Sequence, residues 1–74
     1  MVVEVRLFAD FRKGRFKEKK LELPNGSSLA DLLAQLKIPE TKASILLVNG
    51  LTASGEHELH DNDVIAIFPA VAGG

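Results

Sequence analysis

With 74 residues, 46% of them hydrophobic, and a net charge of −1, the chain reads as one small domain that folds as a soluble globule. It has no cysteine, which excludes disulfides, thiolate-bound metals and thiol nucleophiles. No apolar run approaches the ~20 residues needed to span a bilayer, which argues against a membrane protein.

The opening "MVVEVRLF" alternates and lacks a signal-peptide core, so the expected location is the cytoplasm, with nothing to cleave. In the same stretch Val3, Val5 and Leu7 share one face and Glu4, Arg6 and Phe8 the other, the pattern of a half-buried strand. "FRKGR" supplies a glycine turn, and "FKEKKLEL" returns as a second strand with Leu21 and Leu23 inward. Arg12, Lys13, Arg15, Lys17, Lys19 and Lys20 crowd into this hairpin. Interleaved with a single aromatic, Phe16, in a slightly acidic chain, they read as a solvated surface and not as a nucleic-acid site.

Pro24 ends the second strand, and Asn25-Gly26 turns the chain. Ser28 then caps a helix, with Asp31 completing a near capping box. Leu29, Leu32, Leu33 and Leu36 form one apolar stripe at helical spacing. The helix is expected to stop before Pro39, because the residue preceding a proline resists the helical region.

"SILLVNG" reads as a buried third strand, "LTASGEHEL" as a turn and a short strand, and "HDND" as a tight turn in which Asn62 takes the left-handed conformation. "DVIAIF" is the last strand. A hairpin, one helix and further strands predict an α+β fold, a mixed sheet of four to five strands with one main helix across one face. The other face is left for solvent or a partner.

Enzyme chemistry is sparse. The serines lie in caps, turns or strand starts, and none sits in a nucleophile elbow. His57 and His60 could suggest a metal site, but an offset of three in an extended segment points the two rings to opposite faces. No metal or cofactor site is expected.

The end of the chain is different. Pro69 cannot donate to a ladder, so sheet pairing stops there. Residues 1–69 then form the globular domain and 70–74 a flexible tail. Ala70, Val71, Ala72, Gly73 and Gly74 span ~17 Å at 3.3–3.6 Å per residue. The two glycines remove every Cβ near the terminal carboxylate, so the tip can thread a narrow channel. Chain ends commonly fray, but frayed ends are polar, whereas "FPAVA" is apolar. Strand phase adds a second clue. If Val3, Val5, Leu7, Ile65 and Ile67 face the helix, Phe8 and Phe68 face away. Were those two strands parallel neighbours, both rings would meet beside the tail as an exposed apolar patch.

"VRLFADFR", "SSLADLLAQL", "LVNG", the run from Leu59 through "DNDVIAIFP" and the final "VAGG" resemble the MoaD/ThiS family of sulfur carriers, over essentially the whole chain. "FP-x-V-x-GG" is most similar to the small subunit of molybdopterin synthase. Ala70 stands where that type commonly has a second proline, and the short "IPETKA" segment is closer to the thiamine-type carriers. The resemblance implies a ubiquitin-like β-grasp fold and a reaction at Gly74. An ATP- and Mg-dependent activating enzyme adenylates the Gly74 carboxylate, and a desulfurase system converts it to a thiocarboxylate. The tail, with Gly73 at its tip, then enters a large catalytic subunit. Phe8, Phe68, Pro69, Ala70, Val71 and Ala72 would contact the partner. The resemblance leaves open a role as a ThiS-type carrier in thiazole synthesis, or as a ubiquitin-like modifier joined to lysines through Gly74.

Overall fold

The computed structural model describes residues 1–70. Five strands form one mixed sheet: β1 (Val2–Leu7), β2 (Glu18–Glu22), β3 (Ala43–Val48), β4 (Leu51–Thr52) and β5 (Val64–Pro69), in the order β2-β1-β5-β3-β4. The central strand, β5, runs parallel to its neighbour β1, and the other neighbours are antiparallel. One helix, α1 (Leu29–Gln35), covers one face. This is the α+β architecture the element order implies.

The alternation of β1 decides which side is covered. Val3, Val5 and Leu7 are fully buried, as are Ile65 and Ile67 of β5, and they pack in one cluster with Leu29, Leu32 and Leu33 of the helix. Burying a branched apolar side chain of this size is worth about 1.5–3 kcal/mol, so this single layer holds the domain together. Leu36, expected in the same layer, is only half-buried, because α1 ends beside it.

The helix ends are well specified. Ser28 Oγ accepts from the Asp31 amide, and the Asp31 carboxylate accepts from the Ser28 amide, a complete capping box. The other end lies earlier than the proline suggests. Lys37 takes φ = +60°, the Ile38 amide donates to the Leu33 carbonyl, and the Lys37 amide donates to Ala34. That pair of bonds is a Schellman motif, with Ile38 buried as its apolar partner. The chain has therefore left the helix before Pro39 acts.

Several other segments do depart from expectation. The link from β1 to β2 is longer than a glycine turn: a 3-10 turn (Ala9–Arg12) precedes Gly14, and it buries Phe11 in the core. β2 starts at Glu18 instead of Phe16, and Leu21 is half-buried while Leu23 is buried just past the strand. β3 sits inside the sheet order but is not buried throughout, since Ser44 and Ile45 are exposed.

Asn49-Gly50 joins β3 to β4 with both residues at positive φ, the backbone that a two-residue hairpin requires. The Asn49 side chain ties this hairpin to the start of β5. Its Nδ2 donates to buried Asp63, and its Oδ1 accepts from the Val64 amide. Asp63 Oδ2 also accepts from the His60 amide, so the buried carboxylate has partners on both oxygens. Asn62, at φ = +69°, closes the turn as its residue type allows. No described helix is long and apolar enough to cross a membrane.

Candidate functional site

The parallel register of β1 and β5 pairs Leu7 with Ile67, which brings the next residues, Phe8 and Phe68, side by side on the face away from α1. Their rings stack with centroids 4.1 Å apart and planes 12° from parallel. Both remain half-buried. An aromatic pair is worth about 0.5–1.5 kcal/mol beyond its buried area, so each ring fixes the other. The juxtaposition expected from strand phase is therefore present, and it lies where β5 ends.

Two residues complete this patch. Ile45 of β3 pairs with Phe68 across the sheet and is 48% exposed. Together Phe8, Phe68, Ile45 and Pro69 line a shallow hollow of about 420 Å³. Arg12 donates from Nε to the Leu7 carbonyl at 2.6 Å, which sets its guanidinium over the Phe8 ring, 5.2 Å from the centroid. A cation over an aromatic face is attracted by the ring quadrupole. Neither residue stands out in the sequence. Ile45 is hidden in an apolar run that reads as buried, although the alternation of Leu46 and Val48 inward would have turned it out. Arg12 is one of six cations in a stretch that reads as solvated.

Pro69 closes β5, and Ala70 is the last described residue. The expected tail, with Val71, Ala72, Gly73 and the reactive Gly74, lies outside the described residues. The root of that tail is therefore what the geometry defines: an extended strand end emerging beside a stacked aromatic pair.

His57 and His60 sit differently from expectation. Their segment is irregular chain between two turns, with one isolated bridge, Ser28 to Glu58, and not a regular strand. Both histidines consequently border one hollow beside Leu51, instead of opposite faces. Among the described residues, no three metal-ligating side chains converge there or elsewhere.

Comparison with known proteins agrees with this geometry. A Pyrococcus furiosus protein described as molybdopterin converting factor, subunit 1, superposes with a TM-score of 0.76 at 32% identity, over 96% of this chain and 99% of that one. The small archaeal modifier protein 1 of Methanosarcina acetivorans superposes with a TM-score of 0.72 at 28% identity, over 99% and 96% of the two chains. A Helicobacter pylori chain from a complex of subunits 1 and 2 of molybdopterin-converting factor gives a TM-score of 0.66 at 26% identity, over 100% of both. The ThiS family model matches residues 5–74. The chain thus belongs to the ThiS family, the β-grasp proteins that serve as sulfur carriers or ubiquitin-like modifiers.

Proposed function

We propose that this protein carries sulfur on its C-terminus as the small subunit of a molybdopterin synthase. A partner enzyme joins the Gly74 carboxylate to the AMP moiety of ATP, with Mg, and releases pyrophosphate. A carboxylate is a poor acyl donor until activated in this way. Sulfur from a desulfurase system then displaces AMP and leaves a thiocarboxylate. The large subunit receives the tail and passes the sulfur to a pterin precursor. The carrier supplies no catalytic side chain. Its contribution is a fixed tail root and an apolar patch that holds the large subunit while the tip reaches the active site.

The observation that carries this reading is the stacked Phe8–Phe68 pair at the end of β5, followed in sequence by Pro69 and the Gly-Gly terminus. The 32% identity to a molybdopterin converting factor subunit supports it, as does the H. pylori complex of two such subunits. The 28% identity to an archaeal modifier favours a second reading, in which Gly74 is joined to lysines of other proteins.

Intact-mass measurement on protein isolated from its own cells tests both. A gain of about sixteen mass units, one oxygen replaced by sulfur, is expected for the carrier. Lysines of other proteins that carry the 43–74 fragment after trypsin cleavage at Lys42, the last Lys or Arg of the chain, with no such gain, would support the modifier instead. Adding one alanine after Gly74 should abolish sulfur transfer and leave the melting temperature unchanged. Full transfer by the extended chain would overturn the carrier reading.

A further inference from the structure

The tail root has a second flank. Opposite the aromatic patch, Pro69 and Ala70 also border a larger hollow of about 640 Å³, whose wall carries Arg15, Lys37 and Lys42. The three cations come from three separate segments: the β1–β2 connection, the end of α1 and the 3-10 turn Glu40–Lys42. One carboxylate, Asp10, faces them, and it already pairs with Lys13 at 3.3 Å. The tail therefore leaves the domain between an apolar hollow and a basic one.

The basic wall is held in place. The Arg15 guanidinium donates to the carbonyls of Phe11, Leu36 and Lys37, which fastens the β1–β2 connection to the open end of α1. Arg15 thus spends its N–H groups locally and contributes charge. Among the described residues, no carboxylate lies within ion-pair distance of Lys37 or Lys42. Lys37 also occupies a position that suits glycine. At φ = +60° a residue with a Cβ is disfavoured by about 1–2 kcal/mol. Strain kept at an exposed position is a reason to look for a function there.

We propose that this basic hollow docks an acidic polypeptide segment of the protein whose active site takes the tail. The proposal rests on the tail-delivery reading above and adds the chemistry of the partner. Cations spread over an open surface from three segments match carboxylates spaced along a chain. Converging backbone amides favour a phosphate, whereas here the backbone groups turned to Arg15 are the carbonyls of Phe11, Leu36 and Lys37. With the apolar patch on its other side, the tail root would be gripped from both flanks, which fixes the direction in which the tip points.

A titration of the isotopically labelled full chain with hexaglutamate, followed by amide NMR shifts, tests this without requiring activation of Gly74. Saturable shifts at Arg15, Lys37, Lys42 and Ala70 are expected, suppressed at 0.5 M salt, where the screening length falls to roughly 4 Å. Inorganic phosphate at matched charge should leave those amides in place. Lys37→Gly should weaken hexaglutamate binding roughly two- to fivefold, the size of an exposed charge pair, while its melting temperature stays the same or rises. Lys37→Gly with Lys42→Ala should weaken it about tenfold. Absence of saturable shifts, an undiminished affinity in the double variant, or an equal response to phosphate would each overturn the proposal. All of them leave the mass test for the thiocarboxylate unaffected, so the two readings fail separately.

Discussion

The two faces of the central sheet are made by the same strands and treated in opposite ways. On the helix side, Val3, Val5, Leu7, Ile65 and Ile67 are sealed from water beneath three leucines of α1. On the far side, Glu4, Arg6 and Phe8 alternate with them along β1, and Val64, Ala66 and Phe68 along β5. There Phe8, Ile45 and Phe68 gather where β5 ends, while exposed Val2 lies at the opposite end of β1. Strand alternation makes this division possible, because a single residue step changes the face. A domain of this size can thus keep its stability on one surface and its recognition on the other, and substitutions on the two faces should separate those properties.

The largest effect belongs to the covered face. Leu33 is 1% exposed in the middle of the core. Leu33→Ala should cost about 2–5 kcal/mol through lost burial and the cavity left behind. That is a large share of the roughly 4–11 kcal/mol available to a chain this long at 0.05–0.15 kcal/mol per residue. Denaturant unfolding would measure it, and a loss below 1 kcal/mol would mean that the helix does not supply the main core layer.

Phe68→Ala should divide the other way. Truncating a central interface aromatic commonly costs about 2 kcal/mol, which is about thirtyfold in affinity for the proposed large-subunit partner. The stack with Phe8 makes the folded chain pay as well, by about 1 kcal/mol, or roughly 4–8 °C in melting temperature. Calorimetry of the complex and of the free chain gives both numbers. A stability loss above 3 kcal/mol with affinity intact would assign Phe68 to the core.

How much of this division is legible in the sequence depends on how regular each segment is. Periodic stretches are legible: the Ser28 cap, the leucine stripe and the phases of β1 and β5 lead directly to α1, to the covered face and to the meeting of Phe8 with Phe68. The connections are not. Ala9 at φ = +51° and the 3-10 turn that buries Phe11 follow no period. The early end of α1 depends on Lys37 taking a conformation that its residue type disfavours. The basic hollow depends on those same two connections meeting, so Arg15 reads only as one of six solvated cations, and Lys37 and Lys42 lie too far along the chain to be joined to it. Ile45 was hidden for a different reason. A run of apolar residues conceals its own alternation, and only the pairing with β5 shows which members turn outward.

Ile45→Ser sharpens the comparison further. The side chain is about half exposed, so its removal should cost little stability and only part of an interface contact. An affinity loss near fivefold, about 1 kcal/mol, is expected by the same calorimetry. An unchanged affinity would shrink the recognition surface to the two aromatics and the tail.

The smallest effect is expected at Leu51, and it tests whether position or mere greasiness defines the site. Leu51 is the most exposed large apolar residue among those described, at 73%. It pairs with Val48 at the end of β3 remote from Ile45, so the length of that strand separates it from the aromatic pair. A general attraction of apolar surface to a partner would make Leu51 the first residue to matter. A localised site at the tail root would make it irrelevant. Leu51→Ser removes no buried contact and follows the left-handed Asn49-Gly50 pair without disturbing it. Surface changes of this kind stay within about 0.5 kcal/mol of neutral. Both unfolding free energy and affinity for the proposed partner should therefore match the unaltered chain, and a tenfold loss of affinity would show that the partner reaches around the β4 edge of the sheet, beyond the tail root.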